Sequence, residues 1–113
     1  MPKKPKPLYR TKLGKAYCAD SLSFMESVPD DSIDLVLTSP PYALHFKKEY
    51  GNADQKYYVE WFLPFAEQIK RILKPDASFV LNLGGAWTPG APLRSLYHFR
   101  LLLALCDEVG FNL

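Results

Sequence analysis

The feature that most constrains the fold is a nearly continuous apolar run, residues 33–38, that stops abruptly at two prolines. A run of this kind without polar alternation is typical of a strand buried in a parallel sheet. Pro40 and Pro41 fix two backbone φ angles and remove two N–H donors, so the strand cannot continue through them. The sequence therefore predicts an interior strand that ends in a stiff corner, Ser39–Tyr42.

Strand and helix patterns alternate along the rest of the chain. We predict strands at residues 16–19, 34–38 and 78–83, helices at residues 22–28, 58–73 and 93–109, and the start of a further strand at residues 111–113. Helices that connect such strands make right-handed crossovers and cover both faces of a parallel sheet. The predicted class is therefore α/β, with parallel strands and helices on both faces.

Length and composition fit one modest core, because 48% of the 113 residues are hydrophobic. No apolar run approaches the roughly 20 residues that cross a bilayer, and the amino terminus has no apolar stretch of the secretory kind, so we expect a cytoplasmic protein without a membrane segment. Cys18 and Cys106 lie far apart outside any CxxC pattern, which favours buried free thiols over a zinc site, and no metal is predicted.

The charge of the chain is concentrated at its amino terminus. Six of the fourteen basic residues lie within the first fifteen positions, which leaves eight basic against twelve acidic residues, a net charge of −4, for the remainder. Residues 1–14 are predicted to be a disordered, basic, Pro-rich leader, and residues 15–113 the folded segment. The leader is either solvated or holds nucleic-acid phosphates by counterion release.

Ligands of parallel α/β sheets bind beyond the carboxyl ends of the strands. Three segments occupy such positions, namely Asp20–Ser21, Ser39–Tyr42 and residues 82–86. In the second, the Ser39 hydroxyl and the Pro40 carbonyl are hydrogen-bond acceptors that suit an exocyclic amino group, which offers two donors. Tyr42 adds a flat face for base stacking, worth roughly 1–3 kcal/mol.

At these residues the sequence resembles the amino-methyltransferases of bacterial restriction-modification systems, whose shared motif is (Asp/Asn/Ser)-Pro-Pro-(Tyr/Phe). The serine form points to cytosine-N4 methylation, and longer segments of the chain look like the PvuII-type enzymes of the permuted beta group. The resemblance extends over about residues 15–113 and rests on four segments in the same order, residues 17–22, 37–44, 48–52 and 79–86.

The resemblance implies a fold, a cofactor and roles for particular residues. The fold would be part of a Rossmann-like methyltransferase, the methyl donor S-adenosylmethionine, and the substrate a cytosine flipped from double-stranded DNA. The implied site residues are Ser39, Pro40, Pro41 and Tyr42 for catalysis, Asp20, Ser21 and Thr38 for the cofactor, and Lys47, Lys48 and Tyr50 for DNA. Two alternatives stay open: Asp20 is equally explained as a helix cap, and Lys47, Lys48 and Tyr50 as a solvated loop.

The sequence departs from the family in one respect, since it contains no Phe-x-Gly-x-Gly turn, which seats the methionine part of the donor in family members. We therefore expect the cofactor-binding half to be supplied by a complementary segment, in a second chain or in the remainder of a truncated one, and the oligomeric state is left open. The family's sheet order also predicts that only the strands at residues 34–38 and 78–83 are neighbours here.

Two other functions remain open at this stage. The acceptors of Ser39 and Pro40 suit any exocyclic amino group, so an adenine-N6 or RNA amino-methyltransferase is the first. The second is a non-catalytic fragment that binds DNA or a partner. Identification of the methylated nucleoside distinguishes these alternatives.

Overall fold

The computed structural model describes residues 2–43 and 55–113. Its strands form two pairs, β1 (Tyr9–Arg10) with β2 (Lys15–Ala16), antiparallel, and β3 (Ile33–Thr38) with β4 (Leu73–Leu81), parallel. The helices are α1 (Ser21–Glu26), α2 (Tyr58–Ile72), preceded by a 3-10 turn at Gln55–Tyr57, and α3 (Tyr97–Ala104), which continues as a π-helical turn over Leu105–Val109. Parallel strands connected through α2 confirm the α/β class, and the predicted adjacency of β3 and β4 is also confirmed.

The three helices pack on one face of the parallel pair, whereas the sequence predicted helices on both faces. Side chains alternate along each strand, so Val36 and Phe79 contact the helices while Leu37 and Val80 face away from them. Two clusters form the core, one around Tyr58, Phe62, Ala66, Tyr97, Leu101 and Leu105, and one around Met25, Val28, Ile69, Ile72 and Leu73. The opposite face remains bare within the described residues, with Leu35, Leu37 and Val80 exposed by 53%, 68% and 46%.

The amino-terminal region differs from the prediction. Residues 9–16, most of which were assigned to a disordered leader, form a hairpin, and the strand expected at residues 16–19 is limited to Lys15–Ala16. The turn is local, because the Gly14 amide donates to the Thr11 hydroxyl at 3.0 Å and the Thr11 amide donates to the Gly14 carbonyl at 2.8 Å. Short-range hydrogen bonds, and not an apolar pattern, form this hairpin.

Element boundaries after α2 also differ from the prediction. β4 begins at Leu73, five residues early, and its register with β3 is irregular between Ile33 and Leu35. Pro75, which has no N–H to donate, lies in the irregular stretch. Gly110 ends the last helical segment at φ 92° as predicted, but residues 111–113 form no strand; instead the Phe111 ring packs 5.4 Å from that of Phe79.

Two sequence expectations concern burial and membrane insertion. Cys18 and Cys106 are free thiols, but the expected burial is wrong for Cys18, which is exposed, and only partial for Cys106. Among the residues that the structure describes, no helix is long and apolar enough to span a bilayer.

Arg71 connects α2 to the end of α1. Its guanidinium donates to the carbonyls of Met25 at 2.6 Å and Val28 at 2.9 Å, and to the Asp30 carboxylate at 2.5 Å. Carbonyls at a helix end lack intrahelical partners, so a cation there satisfies them and complements the helix dipole. Arg71 therefore fixes α1, and with it Asp20, to α2.

We expect Arg71→Met to lower the free energy of unfolding by about 2 kcal/mol, because it leaves two partly buried carbonyls without a charged donor. Urea titration measures the loss as a lower midpoint at an unchanged slope. Asp30→Asn is the control, since its carboxylate is 71% exposed and the ion pair contributes less than about 1 kcal/mol. Equal losses for the two variants would contradict the role given to the carbonyls.

Candidate active site

The site lies where the carboxyl ends of β3 and β4 meet. Thr38 pairs with Leu81 in the parallel register, and the Asn82 amide donates to the Thr38 carbonyl at 2.9 Å. The corner that follows β3 and the glycine segment that follows β4 therefore leave the sheet side by side. Two of the three segments that the sequence predicted at strand ends, Ser39–Tyr42 and residues 82–86, are brought together here.

The Ser39–Tyr42 corner lines a surface cavity of about 420 Å³. Ser39 is exposed, and Pro40, Pro41 and Tyr42 are half-buried. Within residues 2–43 and 55–113, the Ser39 hydroxyl forms no hydrogen bond. An exposed hydroxyl on a rigid corner is available to accept a hydrogen bond from a ligand.

Two buried tyrosines hold the segments that form the site. Tyr58, at the start of α2, donates from its hydroxyl to the Pro41 carbonyl at 2.5 Å, and Tyr97, at the start of α3, donates to the Gly84 carbonyl. Their rings meet edge to face, 4.9 Å apart. Buried phenols need partners for their hydroxyls, so each ring fills the core while its hydroxyl fixes a backbone carbonyl at the site.

The same burial affects the acidity of both phenols. Burial raises the pKa of Tyr58 well above its ordinary value of 10.0, with smaller contributions from Tyr97 and Tyr42. Burial likewise raises the pKa of Tyr97, opposed by a backbone hydrogen bond with Ala43 and supported by Tyr42. Both hydroxyls therefore stay protonated near neutral pH and act as donors.

Tyr42 packs directly against Gly84. A Cβ atom on Gly84 would lie 2.6 Å from Tyr42 Cε2, which is closer than such atoms approach in proteins, whereas one on Gly85 would lie 3.4 Å from its nearest neighbour, His98 Cε1. Gly84 is thus required for the observed position of the Tyr42 ring. The neighbouring Gly85 carries no comparable restriction.

The predicted cofactor residues lie apart, because Thr38 ends β3 whereas Asp20 and Ser21 begin α1 and follow no strand of the parallel pair, contrary to the expected strand end. Asp20 is the N-cap of α1, and its carboxylate accepts from the Ser23 amide at 2.9 Å, which establishes the capping role. Asp20 and Ser21 are exposed, and Thr38 is half-buried at the end of β3. The capping bond uses Oδ2 of Asp20. Because a carboxylate has two acceptor oxygens, the second can still serve a ligand.

Some site residues lie outside the described residues, and others were not predicted. Lys47, Lys48 and Tyr50 belong to the first group. Tyr58 and Tyr97 belong to the second, because the sequence placed them in the predicted helices at residues 58–73 and 93–109 and gave them no role at the site. The available signal was chemical: a tyrosine on a buried helix face must find an acceptor for its hydroxyl.

Comparison with known proteins identifies the family of the chain. A family model described as "DNA methylase" matches residues 33–113. The chain therefore belongs to this DNA methylase family, and the resemblance that the sequence indicated is confirmed.

Individual relatives give a narrower comparison. The chain is 56% identical over 108 residues to Type II methyltransferase M.PvuII of Proteus hauseri. This match covers 96% of this chain and 32% of that protein. It is 33% identical over 82 residues to M.BamHI of Bacillus amyloliquefaciens, covering 69% of this chain and 19% of that protein. The solved structure of a PvuII DNA methyltransferase (cytosine-N4-specific) matches with a TM-score of 0.82 and 56% identity, over 94% of this chain and 38% of its own. The chain thus spans about a third of the length of the M.PvuII relative.

We expect Tyr58→Phe to lower the free energy of unfolding at neutral pH by about 1 kcal/mol, because the Pro41 carbonyl loses its donor. Since the pKa of Tyr58 is raised on folding, its contribution is complete below pH 10 and declines as the pH rises above 10. The stability difference between wild type and Tyr58→Phe should therefore shrink in alkaline solution. Urea titrations at a series of pH values measure this difference.

The matched control for this prediction is Tyr9→Phe, at a tyrosine that is 61% exposed. It should change stability by less than about 0.5 kcal/mol. A difference between wild type and Tyr58→Phe that stays constant across the alkaline range would contradict a buried donor at this position.

Proposed function

We propose that this chain is the catalytic segment of a cytoplasmic DNA methyltransferase that transfers a methyl group from S-adenosylmethionine to the N4 amino group of cytosine. The observation that carries the proposal is the exposed Ser39 hydroxyl on a corner held by Tyr58, beside the glycine segment held by Tyr97. The cytosine-N4 specificity of the PvuII methyltransferase whose structure matches this chain supports the choice of base.

The corner suits an amino group by the number and kind of its hydrogen-bonding atoms. The amino nitrogen carries two N–H donors, and we assign the Ser39 hydroxyl and the Pro40 carbonyl as their acceptors. Pro41 has no N–H to compete, and its own carbonyl is occupied by Tyr58. Among the described residues, the Ser39 hydroxyl and the Pro40 carbonyl accept no hydrogen bond, which leaves both available to a ligand.

Catalysis by this corner needs positioning and charge stabilisation. Two acceptors fix the amino group so that its lone pair is directed at the incoming methyl group, and they stabilise the positive charge that develops on nitrogen. The N–CH3 bond would form as the S–CH3 bond of the donor's sulfonium breaks and leaves a neutral thioether, and the nitrogen would then lose one proton to solvent to become a neutral secondary amine. Ser39 accepts a hydrogen bond throughout and forms no covalent intermediate.

Tyr42 supplies the surface on which the base lies. A base inside a duplex cannot reach a concave site, so it must be extruded at a cost of a few kcal/mol. Stacking on an aromatic ring returns roughly 1–3 kcal/mol of that cost. Contact with Gly84 sets the position of the Tyr42 ring, which links the glycine segment to base binding.

The methyl donor is assigned to Asp20, Ser21 and Thr38. The exposed Asp20 carboxylate and Ser21 hydroxyl fit polar groups of a nucleoside, and the Asp20 capping bond to Ser23 leaves one carboxylate oxygen available. When bound, S-adenosylmethionine supplies a methyl group activated by its sulfonium centre. We assign Lys47, Lys48 and Tyr50 to contacts with double-stranded DNA.

A complementary segment is part of this proposal. The exposed apolar side chains of Leu35, Leu37 and Val80 on the bare sheet face support a further layer of protein there. We propose that the layer corresponds to the part of M.PvuII that this chain does not match, whether in the same polypeptide or in a second one. Adenine-N6 or RNA methylation and a purely binding function are the alternative outcomes of the experiments that follow.

We expect Ser39→Ala to reduce kcat roughly 100-fold while DNA affinity changes little, because an acceptor that acts on developing charge is lost. Tyr42→Ala should instead weaken DNA binding. Methyl transfer is measured by mass spectrometry of nucleosides from duplex DNA, with the chain alone and with a complementing segment. If the product is N6-methyladenine, the target base is adenine and not cytosine. If Ser39→Ala lowers kcat and DNA affinity equally, the role of Ser39 as a catalytic acceptor is contradicted.

We expect Gly84→Ala to lower affinity for the extruded base roughly tenfold, because the added Cβ displaces the Tyr42 ring. Gly85→Ala is the matched control, since its Cβ meets only ordinary contacts at 3.4 Å and beyond. Fluorescence of 2-aminopurine at the target position reports extrusion of the base. If both variants extrude the base as wild type does, Tyr42 is not the stacking surface.

A further inference from the structure

A short hairpin, residues 86–95, leaves the site immediately after the glycine segment. The Ser95 amide donates to the Ala86 carbonyl at 2.7 Å, the Thr88 amide donates to the Leu93 carbonyl at 2.7 Å, and Trp87 pairs with Arg94. Gly90, at φ 75°, forms the turn. We call this element the Trp87–Arg94 hairpin.

The base of the hairpin is fixed to the core. Ala86 and Ser95 are each 7% exposed, and Gln55 donates from its side-chain amide to the Trp87 carbonyl at 2.8 Å. The Tyr97 amide also donates to the Ser95 hydroxyl at 3.3 Å. Both strands are therefore held at the base of the hairpin, where Trp87 and Arg94 pair.

Arg94 and Trp87 form one exposed cationic and aromatic unit. The Arg94 guanidinium lies over the Trp87 ring, 5.1 Å from its centroid, and the Trp87 side chain is 51% exposed. Arg94 is the only ionisable residue of the hairpin, and within the described ranges 2–43 and 55–113 it forms no ion pair. A guanidinium that contacts a ring by its face keeps N–H donors along its edge for an oxyanion.

This unit lies next to the candidate active site. A Cβ atom on Gly85 would lie 3.6 Å from Nη1 of Arg94, and the preceding residue, Gly84, contacts the Tyr42 ring. Adjacent glycines of one segment therefore lie against the guanidinium and against the ring assigned to stack on the base. In a duplex every nucleotide carries a backbone phosphate, about one charge per 1.7 Å of helix axis over both strands, so phosphates flank any target base.

We infer that Arg94, held in place by Trp87, binds a backbone phosphate of the DNA close to the target cytosine. The inference rests on the proposed function, because it takes the substrate to be double-stranded DNA. A guanidinium suits a phosphate through two parallel hydrogen bonds. The contact fixes the position of the DNA and carries no sequence information.

The experiment measures binding of the full-length protein to a labelled duplex over a series of salt concentrations. Arg94→Gln should reduce the slope of log K against log salt by about one, the contribution of one phosphate contact. Arg94→Lys should retain the slope, because it retains the charge. Arg100→Gln is the control for loss of one positive charge, since Arg100 is exposed on α3 outside the hairpin.

Each outcome of this experiment separates the inference from the proposed function. A wild-type slope in Arg94→Gln, or an equal reduction in Arg100→Gln, would overturn the phosphate site. Formation of N4-methylcytosine by the wild-type protein is measured in parallel. If the Arg94→Gln slope falls while no N4-methylcytosine forms, the phosphate site stands and the proposed reaction is overturned.

Discussion

The site depends on the parallel pairing of β3 with β4. The register that joins Thr38 to Leu81, continued by the hydrogen bond from the Asn82 amide to the Thr38 carbonyl, brings together two segments more than forty residues apart. One segment carries the hydroxyl and carbonyl acceptors, and the other carries the glycine against which the aromatic ring packs. A one-residue slip of this register would turn Val36 and Phe79 out of the core and misplace both segments.

The tyrosine pair connects the stability of the core to the geometry of the site. Tyr58 and Tyr97 are among the most completely buried side chains of the chain, yet each hydroxyl ends on a backbone carbonyl of a loop at the site. Satisfying those hydroxyls in the core requires the loops to lie where they are found, since an unpaired buried hydroxyl costs about 1–3 kcal/mol. The loops are thereby ordered before any ligand arrives, which reduces the entropic cost of binding.

The sequence predicted features that depend on neighbouring residues better than features that depend on contacts between distant residues. The apolar run of β3, its end at Pro40 and Pro41, and the periodic face of α2 are local patterns, and all were predictable. The hydrogen bond from Tyr58 to Pro41 spans seventeen positions, and no local pattern encodes it. The predicted start of the last helix at residue 93 was wrong, because backbone pairing prevailed over the helix propensity of the segment. Pairing between Trp87 and Arg94 keeps residues 93–96 out of α3. Residues with a recognisable chemical role were thus easier to predict than the residues that hydrogen-bond to them.

Helix α2 connects the corner assigned to the amino group with the helix that carries Asp20, the residue assigned to the methyl donor. Its first residue, Tyr58, holds the acceptor corner, and Arg71, near its other end, holds the carbonyls at the end of α1, whose N-cap is Asp20. The thirteen residue steps from Tyr58 to Arg71 correspond to about 20 Å of helix. Among the described residues, no hydrogen bond joins Asp20 to Ser39–Tyr42 directly. Because α2 is bound to both regions, it helps to set the position of Asp20 relative to the Ser39–Tyr42 corner, and substitutions along its buried face would alter the site without touching either ligand.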